Sequence, residues 1–485
     1  MWFGTRGSGV RISPPRPFSL FNFIIFFDRS GPLLFRVFPC CNQHNSRSLM
    51  LLVVGRSWAL FLGLFLLLVG NGLQGTLLGI RSQIEGFSTI LSGVIMAAYF
   101  AGFLFGVFWA SRFIRRVGHI RVFAAMASLA SATILVMGLW VSPWGWLFMR
   151  LLTGVAFASV YVVVESWINE EATNETRGQL LALYTVVSTV GLLSGQFLLN
   201  VAEPDTLELF LVTSLVVSLS LIPLLLTVAP APAFDHPSDI KLKDLFGASP
   251  VGVMGTFMSG LLIGSYLSYT AVYATDIGLS PAEVSILMAL IFAAGGISPW
   301  PLGRLSDRMD RRIMIAAMMG ASFLVTMLAS GLYDAEVVGL NALLGVYVLA
   351  AATAFSLYGL AVAYTNDNLN PEQMVAASAI LLLINACGAI IGPIGASLFQ
   401  EFLGASGPVF FIAASSLSMF AFTLFRMLQR PAPLVDDRTI YAQSPIRGTV
   451  VMTSMAQQVS QDVTAEQADE EMTDDGQEDR ANASV

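Results

Sequence analysis

Gly191-Leu192-Leu193-Ser194-Gly195-Gln196 and Gly388-Ala389-Ile390-Ile391-Gly392-Pro393 each lie in a long apolar run. Both glycines of the first return in the second at one offset of 197 residues (388 − 191 and 392 − 195). Glycines four apart lay bare backbone on one helix face, where a neighbouring helix can approach closely in lipid. The same offset carries Gly106 onto Gly303 and Asn169 onto Asn366. Four coincidences at equivalent points of two apolar sets indicate a tandem duplication.

Working outward, the chain reads as one dissolved in a bilayer. Hydrophobic residues make up 55% and charged residues 12% of its 485, with mean hydropathy +0.72. Soluble domains carry about 25% charge. Apolar segments long enough to span run at about 57–80, 88–110, 119–140, 144–167, 178–199 and 207–228. Six more follow at about 250–272, 283–302, 313–333, 338–363, 375–398 and 408–428. The expected fold is therefore an all-α membrane protein of twelve transmembrane helices in two six-helix repeats. The halves cover 50–228 and 250–430, divided by a cytoplasmic loop at 229–249 with Pro230, Pro232, Pro237, Lys241 and Lys243.

Basic residues set the orientation. With the N-terminus inside, the inner loops hold Arg112, Arg115, Arg116, Arg121, Arg177, Lys241, Lys243, Arg304, Arg308, Arg311 and Arg312. The outer loops hold only Arg81. By the positive-inside rule both termini are expected in the cytoplasm of a plasma-membrane protein. Residues 431–485 contain 11 acids and 3 arginines (3 − 11 = −8), against −7 for the whole chain. They are expected to form a solvated, disordered tail.

Residues 1–49 are set apart. Val10-Arg11-Ile12 is what the T-loop sequence of a transfer RNA gene translates to, and the terminal CCA supplies a proline codon near Pro17. Translation is expected to start nearer Met50. The apolar run from Phe18 to Phe27 is too short to span.

The loop Gly303-Arg304-Leu305-Ser306-Asp307-Arg308-Met309-Asp310-Arg311-Arg312 resembles the major facilitator signature Gly-x-x-x-Asp-Arg-x-Gly-Arg-Arg, with Asp310 in place of its second glycine. Glycine admits a neighbouring helix, while the acid and arginines can form an ionic latch. The first half departs from this. Gly106-Val107-Phe108-Trp109-Ala110-Ser111-Arg112 lacks the acid, and Glu165 is the expected partner for Arg112, Arg115 and Arg116. The run Arg116-Val117-Gly118-His119-Ile120-Arg121, with Glu165-Ser166-Trp167-Ile168-Asn169, is similar to the bacterial YcaD-like branch. The superfamily resemblance covers about Arg56 to Arg430. It implies a secondary transporter in which spans one, four, seven and ten line a central cavity.

Polar groups within spans are costly, so they favour a cavity or a partner helix. Asn71 and Gln74 share a face of span one, and Arg150, Gly154, Phe157, Tyr161 and Glu165 form a stripe on span four. Tyr266 and Tyr269 in span seven, Phe355 and Tyr358 in span ten, and Asn385 in span eleven complete the cavity candidates. Arg150-Leu151-Leu152-Thr153-Gly154 resembles the fourth-span arginine motif that the superfamily links to proton coupling, yet no Asp or Glu lies deep in a span. The antiporter motif Gly-x-x-x-Gly-Pro is complete only at Gly388, Gly392 and Pro393. In span five Gln196 replaces the proline after Gly191 and Gly195, which weighs against efflux.

Cys40, Cys41 and Cys387, with His44, His119 and His236, form no metal or catalytic spacing. The expectation is a monomeric carrier in a lipid bilayer without cofactor, metal or nucleic acid. It would take a small organic solute by alternating access, with protons as an open coupling partner. Amphiphile efflux, metabolite uptake and a transporter-like sensor or scaffold are the alternatives.

Overall fold

The computed structural model describes residues 43–173, 176–226, 242–334, 339–429, 441, 448–449 and 451–463. The expectation for residues 1–49 falls outside them up to residue 42. So does most of the central loop, apart from a short helix at Leu242–Ala248.

The twelve main helices are α1 (Gln43–Ile84), α2 (Thr89–Val117), α3 (His119–Leu139), α4 (Pro143–Glu171), α5 (Arg177–Leu198), α6 (Glu208–Leu225), α7 (Pro250–Asp276), α8 (Pro281–Asp307), α9 (Arg311–Asp334), α10 (Leu340–Asn366), α11 (Pro371–Leu403) and α12 (Gly407–Gln429). Among the described residues eleven stretches are long and apolar enough to cross a membrane; the last, Ala376–Gln429, holds most of α11 and all of α12. Gly404, with φ +70, makes the turn inside it. Start signals are local: Ser142 precedes Pro143, and Ser280 forms a capping box with Glu283 before α8. Large apolar side chains such as Phe105, Phe108, Trp109, Phe148 and Phe197 stay exposed, as suits a protein whose solvent is hydrocarbon.

The glycine repeat has a packing counterpart. A Cβ on Gly191 would lie 2.8 Å from the Leu68 Cβ and 3.1 Å from the Phe65 carbonyl, so α5 rests on α1. Gly195 faces Val69 and Leu73 on α1. On α11, Gly388 faces Phe257 and Leu261, and Gly392 faces Leu261 and Ser265 of α7. The partners repeat at their own offset of 192 (257 − 65, 261 − 69 and 265 − 73). Where α11 has Pro393 inside the helix, Gln196 ties α5 to α1: its amide donates to the Gly72 carbonyl at 2.9 Å and accepts from Thr76 at 2.7 Å. The substitution thus exchanges a bend for a tether. Gly195→Leu should force the backbones of α1 and α5 apart and lower stability by about 1–3 kcal/mol. Thermal melting in detergent would show this, with Gly75→Ala, which meets open space, as the unaffected control.

The expectation of a disordered tail is corrected at residues 451–463 alone; residues 431–440, 442–447, 450 and 464–485 lie outside the described residues. Residues 451–463 form a helix, α13. Met452, Met455, Ala456 and Val459 make an i, i+3, i+4, i+7 stripe that packs into the main core. That apolar periodicity is short and sits amid polar residues, which is why composition hid it.

Candidate functional site

Three helices of the first half build a polar cluster. Asn71 on α1 donates to the hydroxyls of Tyr99 on α2, at 3.2 Å, and Tyr161 on α4, at 3.3 Å. The Arg150 guanidinium on α4 lies over the Tyr99 ring, 4.7 Å from its centroid. Arg150 is 3% exposed, so its charge is held inside by an aromatic face and is not carried out to an interface. Gln74 is 1% exposed, and neither amide atom has a hydrogen-bond partner among the described residues. A buried amide left in this way costs about 1–3 kcal/mol.

In the second half the aromatic groups converge on Tyr347 of α10. Its ring packs edge-on to Tyr266 at 5.0 Å and stacks with Tyr273 at 5.8 Å; its hydroxyl pairs with Thr270 at 3.1 Å. Tyr266 and Tyr269 are buried with hydroxyls lacking hydrogen bonds among the described residues. Both lie in a π-helical turn, Ser265–Tyr269, that interrupts α7. Such turns re-aim side chains and gather at functional sites. It begins at Ser265, the residue under Gly392.

Between the halves lies a cavity of about 100 Å³. Tyr99, Phe100 and Phe103 line it from α2, and Phe355, Tyr358 and Asn385 from α10 and α11. Three of the nine cavity candidates thus face it directly. Asn385 also spends its amide on the Thr256 carbonyl at 3.0 Å. Asn71 and Arg150 reach it through Tyr99, and Tyr161 through the Phe103 ring at 5.9 Å. Tyr99 lies on α2, outside spans one, four, seven and ten, which the superfamily resemblance assigns to the cavity, so sequence reasoning did not reach it. The available signal was that it is the one tyrosine in α2.

The arginine-rich end carries the latch. Arg311 is 1% exposed and pairs with Asp307 at 2.9 Å and Asp367 at 2.6 Å, while Arg312 pairs with Asp310 at 2.8 Å. Asp367, just after α10, was not singled out, although it follows the Asn366 of the repeat. Gly106 lets α2 meet Ala158 and Val155 of α4, and Gly303 receives the Tyr441 ring. Arg308 is exposed.

The first-half latch differs from expectation. Arg112, Arg115 and Arg116 are exposed. Glu165 is fully buried; it accepts from the Tyr184 hydroxyl at 2.7 Å and from Thr449, through its backbone N–H at 2.9 Å and its hydroxyl. Glu165 lies on the buried face within α4, so neutral donors reach it while the arginines remain outside. Burial, with the neighbouring Asp307 charge, pushes the Tyr441 phenol well above its ordinary range, so that ring enters the protein neutral. Among the described residues no cluster of His, Cys, Asp and Glu could hold a metal.

Residues 252–456 match the profile of the Major Facilitator Superfamily, and 61–234 that of the sugar (and other) transporters. The chain is 32% identical over 378 residues to the uncharacterized MFS-type transporter YcaD of Shigella flexneri serotype 5b, covering 76% of this chain and 94% of that one. YcaD of Escherichia coli strain K12 / DH10B aligns to the same extent. Among solved structures, nucleoside transporter NupG superposes with a TM-score of 0.62 at 13% identity, over 77% of this chain and 99% of that one. A bacterial homologue of the lysosomal transporter Spinster, inward-facing and occupied, gives 0.59 at 17%, over 79% and 98%. The duplicated twelve-helix bundle and its central cavity define a secondary transporter. The chain belongs to the major facilitator superfamily.

Proposed function

We propose that this chain is a plasma-membrane carrier, not an enzyme, that moves an organic solute with an aromatic or apolar body and a polar or anionic group. The observation that carries this reading is Tyr99, which lines the inter-half cavity while sitting beneath Arg150 and accepting from Asn71. A largely aromatic wall suits an apolar body. A buried guanidinium favours an anionic end. In reconstituted vesicles, at least one aromatic organic anion should move faster than through empty liposomes, and Tyr99→Ala should slow it. Transport of sugars alone would overturn this substrate class. The carrier is read as a monomer with six helices per half. Proton coupling would show as acidification-driven uptake of the same solute.

The cytoplasm is proposed to face the arginine-rich end, because the loop arginines and the tail meet there. Single cysteines at the exposed positions Glu170 and Asp205, in a background without native cysteine, should then respond oppositely to an impermeant thiol reagent applied to intact cells. Asp205→Cys should label and Glu170→Cys should not. The reverse pattern would invert the orientation.

A further inference from the structure

The acidic tail contributes a wall of the cavity and contacts both halves at once. On the second-half side, the Tyr441 backbone N–H donates to Asp307 at 3.0 Å, and its ring fills the space over Gly303 and Gly359. Gln457 donates to Asn366 at 3.1 Å and accepts from Ser378. On the first-half side, Thr449 caps Glu165 and Asp462 pairs with Arg177 at 3.1 Å. Met452 and Met455 are wholly buried along the same helix. Gly448 and Thr453 complete the cavity wall beside Tyr441.

Two features give these contacts consequence. The tail donors fall on two acids in different halves, Asp307 at the end of α8 and the buried Glu165 of α4. Alternating access in duplicated carriers proceeds by rocking one half against the other around a fixed site. A helix seated between the halves at one end occupies the volume that must vanish when that end closes.

We propose that Tyr441, Gly448, Thr449 and α13 (451–463) act as an autoinhibitory plug: seated, they seal the cavity from the arginine-rich face and hold that end open, and the carrier cycles only after they withdraw. This rests on the carrier reading above, but a conformational readout tests it without a substrate. At the opposite end Ser285 is fully buried, donating to the Gln196 carbonyl at 2.6 Å and accepting from Asn200 at 3.2 Å. A cysteine there becomes reachable only when the halves part at that end.

The experiment compares Ser285→Cys, in a background without native cysteine, alone and combined with Met455→Asp or Met455→Leu. Aspartate puts a charge into a buried site and should expel α13 without touching the twelve-helix bundle; leucine preserves the seat. Labelling by an impermeant thiol reagent from the face opposite the arginine-rich end should rise about tenfold with Met455→Asp and stay unchanged with Met455→Leu. A cysteine at Phe103, in the cavity wall, should gain reactivity from the arginine-rich face in the same variant. Equal Ser285→Cys labelling in all three chains, or a Phe103→Cys unaffected by Met455→Asp, would overturn the plug. Chains that label as expected yet move no solute would instead count against the carrier reading and leave the plug standing.

Discussion

Asp367→Ala should be among the most damaging single substitutions in this chain, lowering folded yield and melting temperature together. Arg311 is 1% exposed, and Asp367, its partner at 2.6 Å, is 2% exposed. Asp307 on its other side is 26% exposed, so water already shares that carboxylate. Removing the buried acid leaves a guanidinium inside with part of its compensation gone, a loss of about 3–5 kcal/mol. Asp307→Asn should be milder in folding, because water and the planar amide retain some of the hydrogen bonding. Its effect should fall on transport, with insertion preserved. Replacing the pair together, Arg311→Met with Asp367→Leu, should recover much of the lost stability, since apolar side chains of similar volume often substitute for a buried ion pair without cost. Fluorescence-detected size exclusion and thermal melting would measure all four chains. Wild-type melting in Asp367→Ala would reduce the pair to a surface contact.

What could be read from the residues follows from what each feature needs. A span needs only length and apolarity, which are local, so expected and observed helices agree closely; α11, expected at about 375–398, runs from Pro371 to Leu403. The duplication was visible because glycine is required wherever backbones touch, and those touches recur in both halves. Side-chain partners are not local. Glu165 belongs by spacing to the α4 stripe, but Tyr184 on the neighbouring helix and Thr449 from far along the chain satisfy it. Arg311 and Asp307 lie four apart on one helical turn and could be paired by spacing; Asp367 reaches them only through the packing of α10. The tail misled because its net charge of −8 describes its composition, whereas α13 is organised by four apolar residues on one face.

Arg150 offers the other large effect, on transport and not on folding. A long cationic side chain at this depth in α4 can reach outward to the interface. Its guanidinium instead covers the Tyr99 ring, whose hydroxyl accepts from Asn71. A cation on a desolvated aromatic face is worth about 2 kcal/mol, roughly thirtyfold in an equilibrium. Lysine keeps the charge but loses the planar fork that can stack on the ring and grip a carboxylate with two parallel hydrogen bonds. Arg150→Lys and Arg150→Gln should therefore both slow transport by at least about tenfold at normal folded yield. Tyr99→Leu should slow it too, and the double variant with Arg150→Gln should be little worse than either single one, because both remove the same contact. Rescue by lysine would show that charge alone matters. Normal transport in Arg150→Gln, measured at matched protein levels in vesicles, would remove Arg150 from the site.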